Sequence, residues 1–205
     1  MKCPLCDSEG KRFYKELYMI CSNCGGIYMD ERFYCSPDRE RARYEEHNND
    51  VFDNGYREFV SPITEYILKH YTVTNRGLDF GAGTGPVVSK ILKEHGYKIK
   101  IYDPFFADKR ELLNSQYDYI VCCEVIEHFH QPALEFQRLK DMLVSGGELV
   151  CMTELCDDEM NFAKWNYKDD QTHVFIYRKE TIEYIASQFD FESYSIRGRL
   201  IIFLH

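Results

Sequence analysis

Gly77-Leu78-Asp79-Phe80-Gly81-Ala82-Gly83-Thr84-Gly85-Pro86 is the stretch on which the fold turns. Gly77 to Phe80 is a short, mostly apolar run of the kind that forms a buried strand. Three alternating glycines follow at once. From Pro86 to His95 the residues read as a helix, which Gly96 stops. Lys98-Ile99-Lys100-Ile101-Tyr102 is a second strand, ending at Asp103. This is a βαβ unit, which connects with a right-handed crossover and implies a parallel sheet.

Glycines at the carboxyl end of a first strand let a ligand approach the main chain closely. Asp103 follows Gly83 by twenty residues, at the end of the next strand. A carboxylate there accepts hydrogen bonds from ribose hydroxyls. The spacing is Gly-x-Gly-x-Gly, however, and Pro86 stands where a pyrophosphate fingerprint has its third glycine. Asp79, just before the loop, suits a cationic or amine-bearing ligand better than a phosphate. Together these favour an adenosine ligand without phosphate. A nucleotide-binding oxidoreductase is the alternative that Pro86 disfavours. A sharp turn with no ligand is the plainer one, but nothing then explains glycines that weaken a strand–helix joint.

The chain has 205 residues, 44% hydrophobic and 29% charged, enough for a packed core. No run approaches the roughly 18 apolar residues of a membrane helix. Met1-Lys2-Cys3-Pro4 lacks the apolar stretch of a secretory signal, so a cytoplasmic location is expected. Twenty-five basic residues against 34 acidic give a net charge of −9, with no global field for nucleic acid.

Nine cysteines in a reducing compartment are not a disulfide framework. Four fall early, as Cys3-Pro-Leu-Cys6 and Cys21-Ser-Asn-Cys24. Two such knuckles supply the four thiolates of a closed, structural zinc site, with room for a β-hairpin over Lys11 to Ile20. The metal would supply most of the folding energy of so small a segment. Two unrelated pairs of reduced thiols are the plain alternative, and a redox pair is disfavoured because neither opens a helix after a strand. Cys35, Cys122, Cys123, Cys151 and Cys156 read as packing residues. Ser36-Pro37 and Ser61-Pro62 each mark a helix start, with a turn-rich connection from Asn48 to Tyr56 between the two helices. The expected organisation is a zinc-ribbon-like segment over 1–35, a helical connection over 36–75 and a main domain over 76–205.

Taken in order, the motifs resemble those of the class I S-adenosylmethionine-dependent methyltransferases. Leu78 to Gly85 looks like their first motif, and Tyr102-Asp103 like the ribose-binding acidic motif. Tyr117-Asp-Tyr-Ile-Val-Cys-Cys-Glu-Val-Ile-Glu-His128 is similar to the fourth-strand motif of the branch containing ubiquinone-biosynthesis O-methyltransferases. Gly146-Gly147-Glu148-Leu149-Val150 resembles the Gly-Gly turn and fifth strand that follow. The resemblance covers roughly residues 55–205. It implies an α/β fold with a doubly wound, mostly parallel sheet. Phe191 to His205 would form the C-terminal antiparallel hairpin. Only about fourteen residues separate Asp103 from Tyr117, so the third strand is expected to be reduced or absent.

The resemblance further implies S-adenosylmethionine as cofactor, beside structural zinc. Gly81, Ala82, Gly83, Asp103 and Pro104 would contact it, with Cys123 and Glu124 near its adenine or methionine part and Asp79 close by. N-terminal helices often cover the cofactor in this fold, which brings in Tyr44 and Tyr56 together with His47, Phe52 and Phe59. An ordinary helix–helix core is the alternative for these.

A sulfonium is already a strong electrophile, so alignment, exclusion of water and removal of a proton are what the protein adds. His128 lies beyond the fourth strand, where it would titrate usefully near neutral pH. The connection from Phe162 to Tyr177 is long, and long loops tend to be functional. In it Asp170-Gln171-Thr172-His173 resembles a segment of many small-molecule methyltransferases of this branch. Asp170 could orient His173 as a base; equally, Asp170 and Thr172 could cap a turn over a packed histidine. His128, His173 and Asp170 are the candidate catalytic residues.

The expected activity is methyl transfer to oxygen or nitrogen of a small molecule. RNA is the alternative acceptor, since a similar zinc-knuckle start occurs in some ribosomal-RNA guanine methyltransferases. Against it, residues 1–50 carry 8 basic and 10 acidic residues, and no Asn-Pro-Pro-Tyr-like loop follows the fourth strand. A non-catalytic module that binds cofactor or a partner is a third reading.

Overall fold

A computed structural model describes residues 1–46 and 50–205; His47, named above, lies outside them. The chain begins with β1 (Gly10–Tyr14), β2 (Tyr18–Cys21) and β3 (Ile27–Met29), followed by α1 (Pro37–Glu46), α2 (Asn54–Phe59) and α3 (Ser61–His70). Then come β4 (Arg76–Phe80), α4 (Val87–Glu94), β5 (Lys98–Tyr102), β6 (Tyr117–Cys123), α5 (Pro132–Asp141) and β7 (Leu143–Met152). The chain ends with β8 (Phe175–Ile176), α6 (Lys179–Gln188), β9 (Ser193–Arg197) and β10 (Leu200–Leu204).

The main sheet has the order β5-β4-β6-β7-β10-β9. β4 pairs in parallel with β5 and β6, and β6 in parallel with β7; β10 runs antiparallel to both β7 and β9. The period-two alternation of each strand divides its side chains between two helical layers. Tyr119 and Val121 of β6 face a cluster with Ile63 and Ile67 of α3 and Ile91 and Leu92 of α4. Ile120 and Cys122 of the same strand face Phe136 and Leu139 of α5 and Ile182 and Ile185 of α6. The sheet is therefore doubly wound, as the resemblance implied. Gly77 lets β4 lie close beside β6: a Cβ there would stand 2.3 Å from the Tyr119 ring.

Residues 103–116 contain no strand, only a bridge between Asp103 and Ala107 and a 3-10 turn at Arg110–Asn114. β5 is the edge of the sheet, which confirms the reduced third strand. The C-terminal hairpin is present, turning at Gly198 with φ +61°. Two local expectations differ. Of the Asn48–Tyr56 connection, Asn48 and Asn49 lie outside the described residues; the part from Asp50 on contains the start of α2, because the Asp53 carboxylate accepts the Tyr56 amide at 2.7 Å and caps a new helix. Gly146-Gly147 lies inside β7 rather than in a turn before it, where the β6–β7 register shifts around Gly146 at φ +75°.

A second sheet has the order β1-β2-β3-β8. The Gly10–Cys21 hairpin falls where the cysteine spacing left room for one. Its last strand comes from far along the chain: Ile27 pairs with Ile176 and Tyr28 with Phe175. Gly26 admits this neighbour, since a Cβ there would meet the Phe175 ring at 2.4 Å. Strand pairing thus ties residues of the 1–35 segment directly to the long connection between β7 and α6. No helix among the described residues is long and apolar enough to cross a membrane.

Candidate active site

The glycine loop leaves β4 at the carboxyl edge of the sheet. Gly81 and Gly83 take φ of +78° and +63°, a region L residues rarely adopt. A Cβ on Gly81 would stand 2.5 Å from Val125, in the loop after β6. Asp103, at the end of β5, reaches across to this loop. One carboxylate oxygen accepts the Gly83 amide at 2.8 Å, and the other accepts the amides of Phe105 (2.8 Å) and Phe106 (3.0 Å). The acid is thereby fixed as the hinge between the glycine loop and the turn replacing the third strand.

Asp79 is placed differently from its neighbours. It is buried on β4 and accepts the backbone amide of Ser89, in the first turn of α4. Burial raises its carboxyl to about 6. It lines a small recess behind the loop with Pro86 and Val87, not the main cavity.

That main cavity, of about 1430 Å³, opens in front of the loop. It exceeds the roughly 300–1,000 Å³ of an ordinary small-molecule site, so two molecules fit side by side. Gly81, Ala82, Gly83, Asp103, Pro104, Cys123, Glu124, Tyr44 and Tyr56 all line it, as do His128, Asp170 and His173. Tyr44 projects from α1 and donates to Glu40 at 2.7 Å, with its ring edge-on to Phe105 and His128. Tyr56 comes from α2 and stacks on Phe59. The helical connection therefore forms one wall.

Glu124 follows β6 with φ +53° and pairs with Arg199 at 2.7 Å. Burial, with the charge of Glu127 beside it, raises its carboxyl to about 8 against the pull of Arg199. Its Oε1 and the Nε of Arg199 are buried and make no hydrogen bond among the described residues. Both residues line the cavity, so these atoms suit a polar ligand.

His128 and His173 meet in the cavity wall, their rings 4.9 Å apart. His128 Nδ1 lies 2.9 Å from the Thr172 carbonyl and His173 Nδ1 2.7 Å from the Tyr167 carbonyl. A carbonyl only accepts, so Nδ1 carries a proton in both rings. Burial lowers the His173 pKa below its ordinary value, which keeps it neutral. Asp170 does not orient that ring through Nδ1. It accepts from the Thr172 amide (3.0 Å) and hydroxyl (2.7 Å), and from Arg43 of α1 (2.9 Å). Burial opposes its charge, but the Thr172 hydrogen bonds and nearby positive groups hold its carboxyl below the usual range. Asp170 thus builds the turn and ties it to α1.

Four residues of the site went unassigned in the sequence. Glu127 is fully buried, accepting the Tyr167 hydroxyl at 2.5 Å and the Thr153 hydroxyl at 3.0 Å. Only its place in the Glu-Val-Ile-Glu-His run hinted at a role. Tyr167, Thr153 and Arg199 come from the long loop, the end of β7 and the last hairpin, and only the fold brings them together.

The long loop is held from outside by the N-terminal sheet. The Met29 amide donates to the Val174 carbonyl at 2.8 Å, and the Tyr18 hydroxyl lies 3.1 Å from the carbonyls of Lys168 and His173. Beyond that sheet Cys3 and Cys24 have sulfurs 3.6 Å apart, and Cys6 and Cys21 3.3 Å. All four sulfurs lie within 4.8 Å of one another. A tetrahedral zinc–thiolate centre places its sulfurs ~3.8 Å apart, so the set fits that ion.

Residues 45–196 match a family described as a methyltransferase domain. The chain belongs to that methyltransferase family. None of the curated proteins matches it. Among solved structures, an O-methyltransferase family protein from Burkholderia thailandensis superposes with a TM-score of 0.55 at 13% identity, over 80% of this chain and 61% of that one. A SAM-dependent methyltransferase from Archaeoglobus fulgidus gives 0.55 at 19% identity, over 68% and 71%. Human N-acetylserotonin methyltransferase, solved in complex with SAM, gives 0.53 at 11%, over 73% and 53%. This methyltransferase-family chain thus spans less than two thirds of the Burkholderia protein's length, and the likeness is one of fold.

Proposed function

We propose that the chain is an S-adenosylmethionine-dependent methyltransferase acting on an oxygen or nitrogen of a small molecule. One observation carries the reading: a single cavity is lined by an open glycine loop, latched to Asp103, and by His128 and His173. The cofactor would supply a methyl group on a positively charged sulfur. Asp103 would take its ribose hydroxyls, each carboxylate oxygen keeping lone-pair capacity beyond its amide bonds. Glu124 and Arg199 would meet the amino-acid end through their unpaired atoms. His173, kept neutral by burial, would offer the acceptor a lone pair, with His128 beside it.

The lining supports a cationic cofactor and disfavours RNA. Acidic residues (Glu40, Glu46, Asp103, Glu135, Glu154, Asp169 and Asp170) outnumber basic ones (Arg39, Arg43, Arg138 and Arg199) even with Glu124 left out. The fourth-strand motif favours the small-molecule branch containing ubiquinone-biosynthesis enzymes. We also propose that Cys3, Cys6, Cys21 and Cys24 hold one structural zinc, and that the protein works in the reducing cytoplasm. The zinc would brace the sheet that carries the His173 loop.

Calorimetric titration with S-adenosylhomocysteine tests the cofactor reading. Wild type is expected to bind, and D103A to bind at least about tenfold more weakly, the scale of a lost hydrogen bond to a charged group. Absence of binding heat from wild type would overturn it.

A further inference from the structure

Cys6 differs from the three cysteines clustered with it. Cys3, Cys21 and Cys24 are at most 2% exposed, whereas Cys6 is only partly buried. The sulfurs also pair across the two knuckles: Cys6 lies 3.3 Å from Cys21, and Cys3 lies 3.6 Å from Cys24. Neither pair is one of the Cys-x-x-Cys spacings read in the sequence.

We propose that Cys6 and Cys21 are a modification site, which a peroxide converts to a reversible disulfide that releases the zinc and loosens the loop carrying His173. The disulfide stands on the placement of the sulfurs; the release rests on the zinc reading above. Zinc holds its cysteines as thiolates, the form that attacks peroxides. Access then decides which reacts first, and Cys6 is the exposed member of the set. Its sulfur attacks one peroxide oxygen. The S–O bond forms, the O–O bond breaks and hydroxide leaves, giving a sulfenic acid. Cys21 attacks that sulfur; the S–S bond forms, the S–O bond breaks and a second hydroxide leaves. Two thiolates have lost the two electrons that the peroxide gains. Burial shields Cys3 and Cys24 from the same fate. Two remaining thiolates do not make a closed tetrahedral site, so the ion departs. Transient disulfides of this kind are how proteins of a reducing compartment use such chemistry.

The cluster is attached to the cavity loop on two sides. Cys21 ends β2, the strand that also carries Tyr18. The Tyr18 hydroxyl lies 3.1 Å from the carbonyls of Lys168 and His173, and β2 reaches β8 through β3. On the other side Gly25 packs on Glu180 of α6, whose Cγ would stand 2.3 Å from an added Cβ. The knuckles therefore brace β8 from the loop before it and the helix after it, and loss of the metal that closes them weakens both supports. Trp165, the only tryptophan, lies in this loop and packs against the cluster of Tyr18, Ile27 and Val174. Its emission reports the loop.

The test uses the full chain dialysed against zinc, with metal per chain counted first. One equivalent of hydrogen peroxide is added. Zinc release is followed with a chromogenic chelator, Trp165 emission is recorded, and free thiols are alkylated before peptide mapping by mass spectrometry. The expected product links Cys6 to Cys21 and leaves Cys3 and Cys24 alkylated. One zinc ion is lost per disulfide formed, Trp165 emission moves to longer wavelength, and dithiothreitol with added zinc reverses all of these. Cys6 and Cys21 left as thiols while Cys35 is oxidised, or a disulfide within either Cys-x-x-Cys, overturns the modification site. A Cys6–Cys21 disulfide with zinc retained, or with Trp165 emission unchanged, overturns the release or its coupling to the loop. A chain that holds no zinc before oxidation removes the zinc reading and the release with it, while peptide mapping still decides the disulfide.

Discussion

Asp103 shows how one carboxylate does two jobs at once. It joins the glycine loop to the turn after β5 through three amides, and it faces the cavity. Gly81 is equally constrained, by φ +78° and by Val125 at 2.5 Å from any added Cβ. G81A is expected to lose about 1–3 kcal/mol of stability and most S-adenosylhomocysteine binding, read by urea unfolding and calorimetry. Asp79 yields a pH prediction. Its folded pKa of about 6 lies above the ordinary carboxylate value of 3.8. The folded state therefore holds this proton more tightly than the unfolded one. The resulting stability is complete below about pH 4 and is lost as pH rises through 6. D79N should gain on wild type between pH 5 and pH 7.5 in urea unfolding; a constant difference would contradict this. That role was hidden in the sequence, where Asp79 stands in the motif like a ligand contact. Its strand position turns it toward α4 instead.

Among elements, the N-terminal sheet and the long loop are one mechanical unit. β3 pairs with β8, and Tyr18 reaches the carbonyls of Lys168 and His173. Y18F should lower stability by about 1–3 kcal/mol by leaving buried carbonyls short of a donor. It should reduce methyl transfer while leaving S-adenosylhomocysteine affinity unchanged, because the cofactor end lies on other loops. Unfolding curves and calorimetry check both halves. The cysteine spacing announced the hairpin, and the Gly-x-Gly-x-Gly loop announced the βαβ unit, since both signals are local. The partnership of β3 with β8 was not readable. Phe175 and Ile176 form a two-residue strand with no period of its own, and its pairing spans about 150 residues.

Across the whole molecule, charge and topology act together. The net charge of −9 and the acidic lining of the cavity disfavour phosphate there. Filter binding to total RNA should be weak and nearly independent of salt; tight binding that falls steeply with salt would restore RNA as acceptor. The doubly wound sheet followed from the order of the motifs. Arg199 and Tyr167 did not, because the closing hairpin and the loop after β7 reach the cavity only once the sheet has formed. The most direct test of the whole account is a crystal structure grown with S-adenosylhomocysteine. The account predicts the ribose hydroxyls on Asp103, the main chain of Gly81–Gly83 against the ligand, and the sulfur turned toward His128 and His173. A glycine loop with no ligand against it, or a nucleoside bound elsewhere, would contradict it.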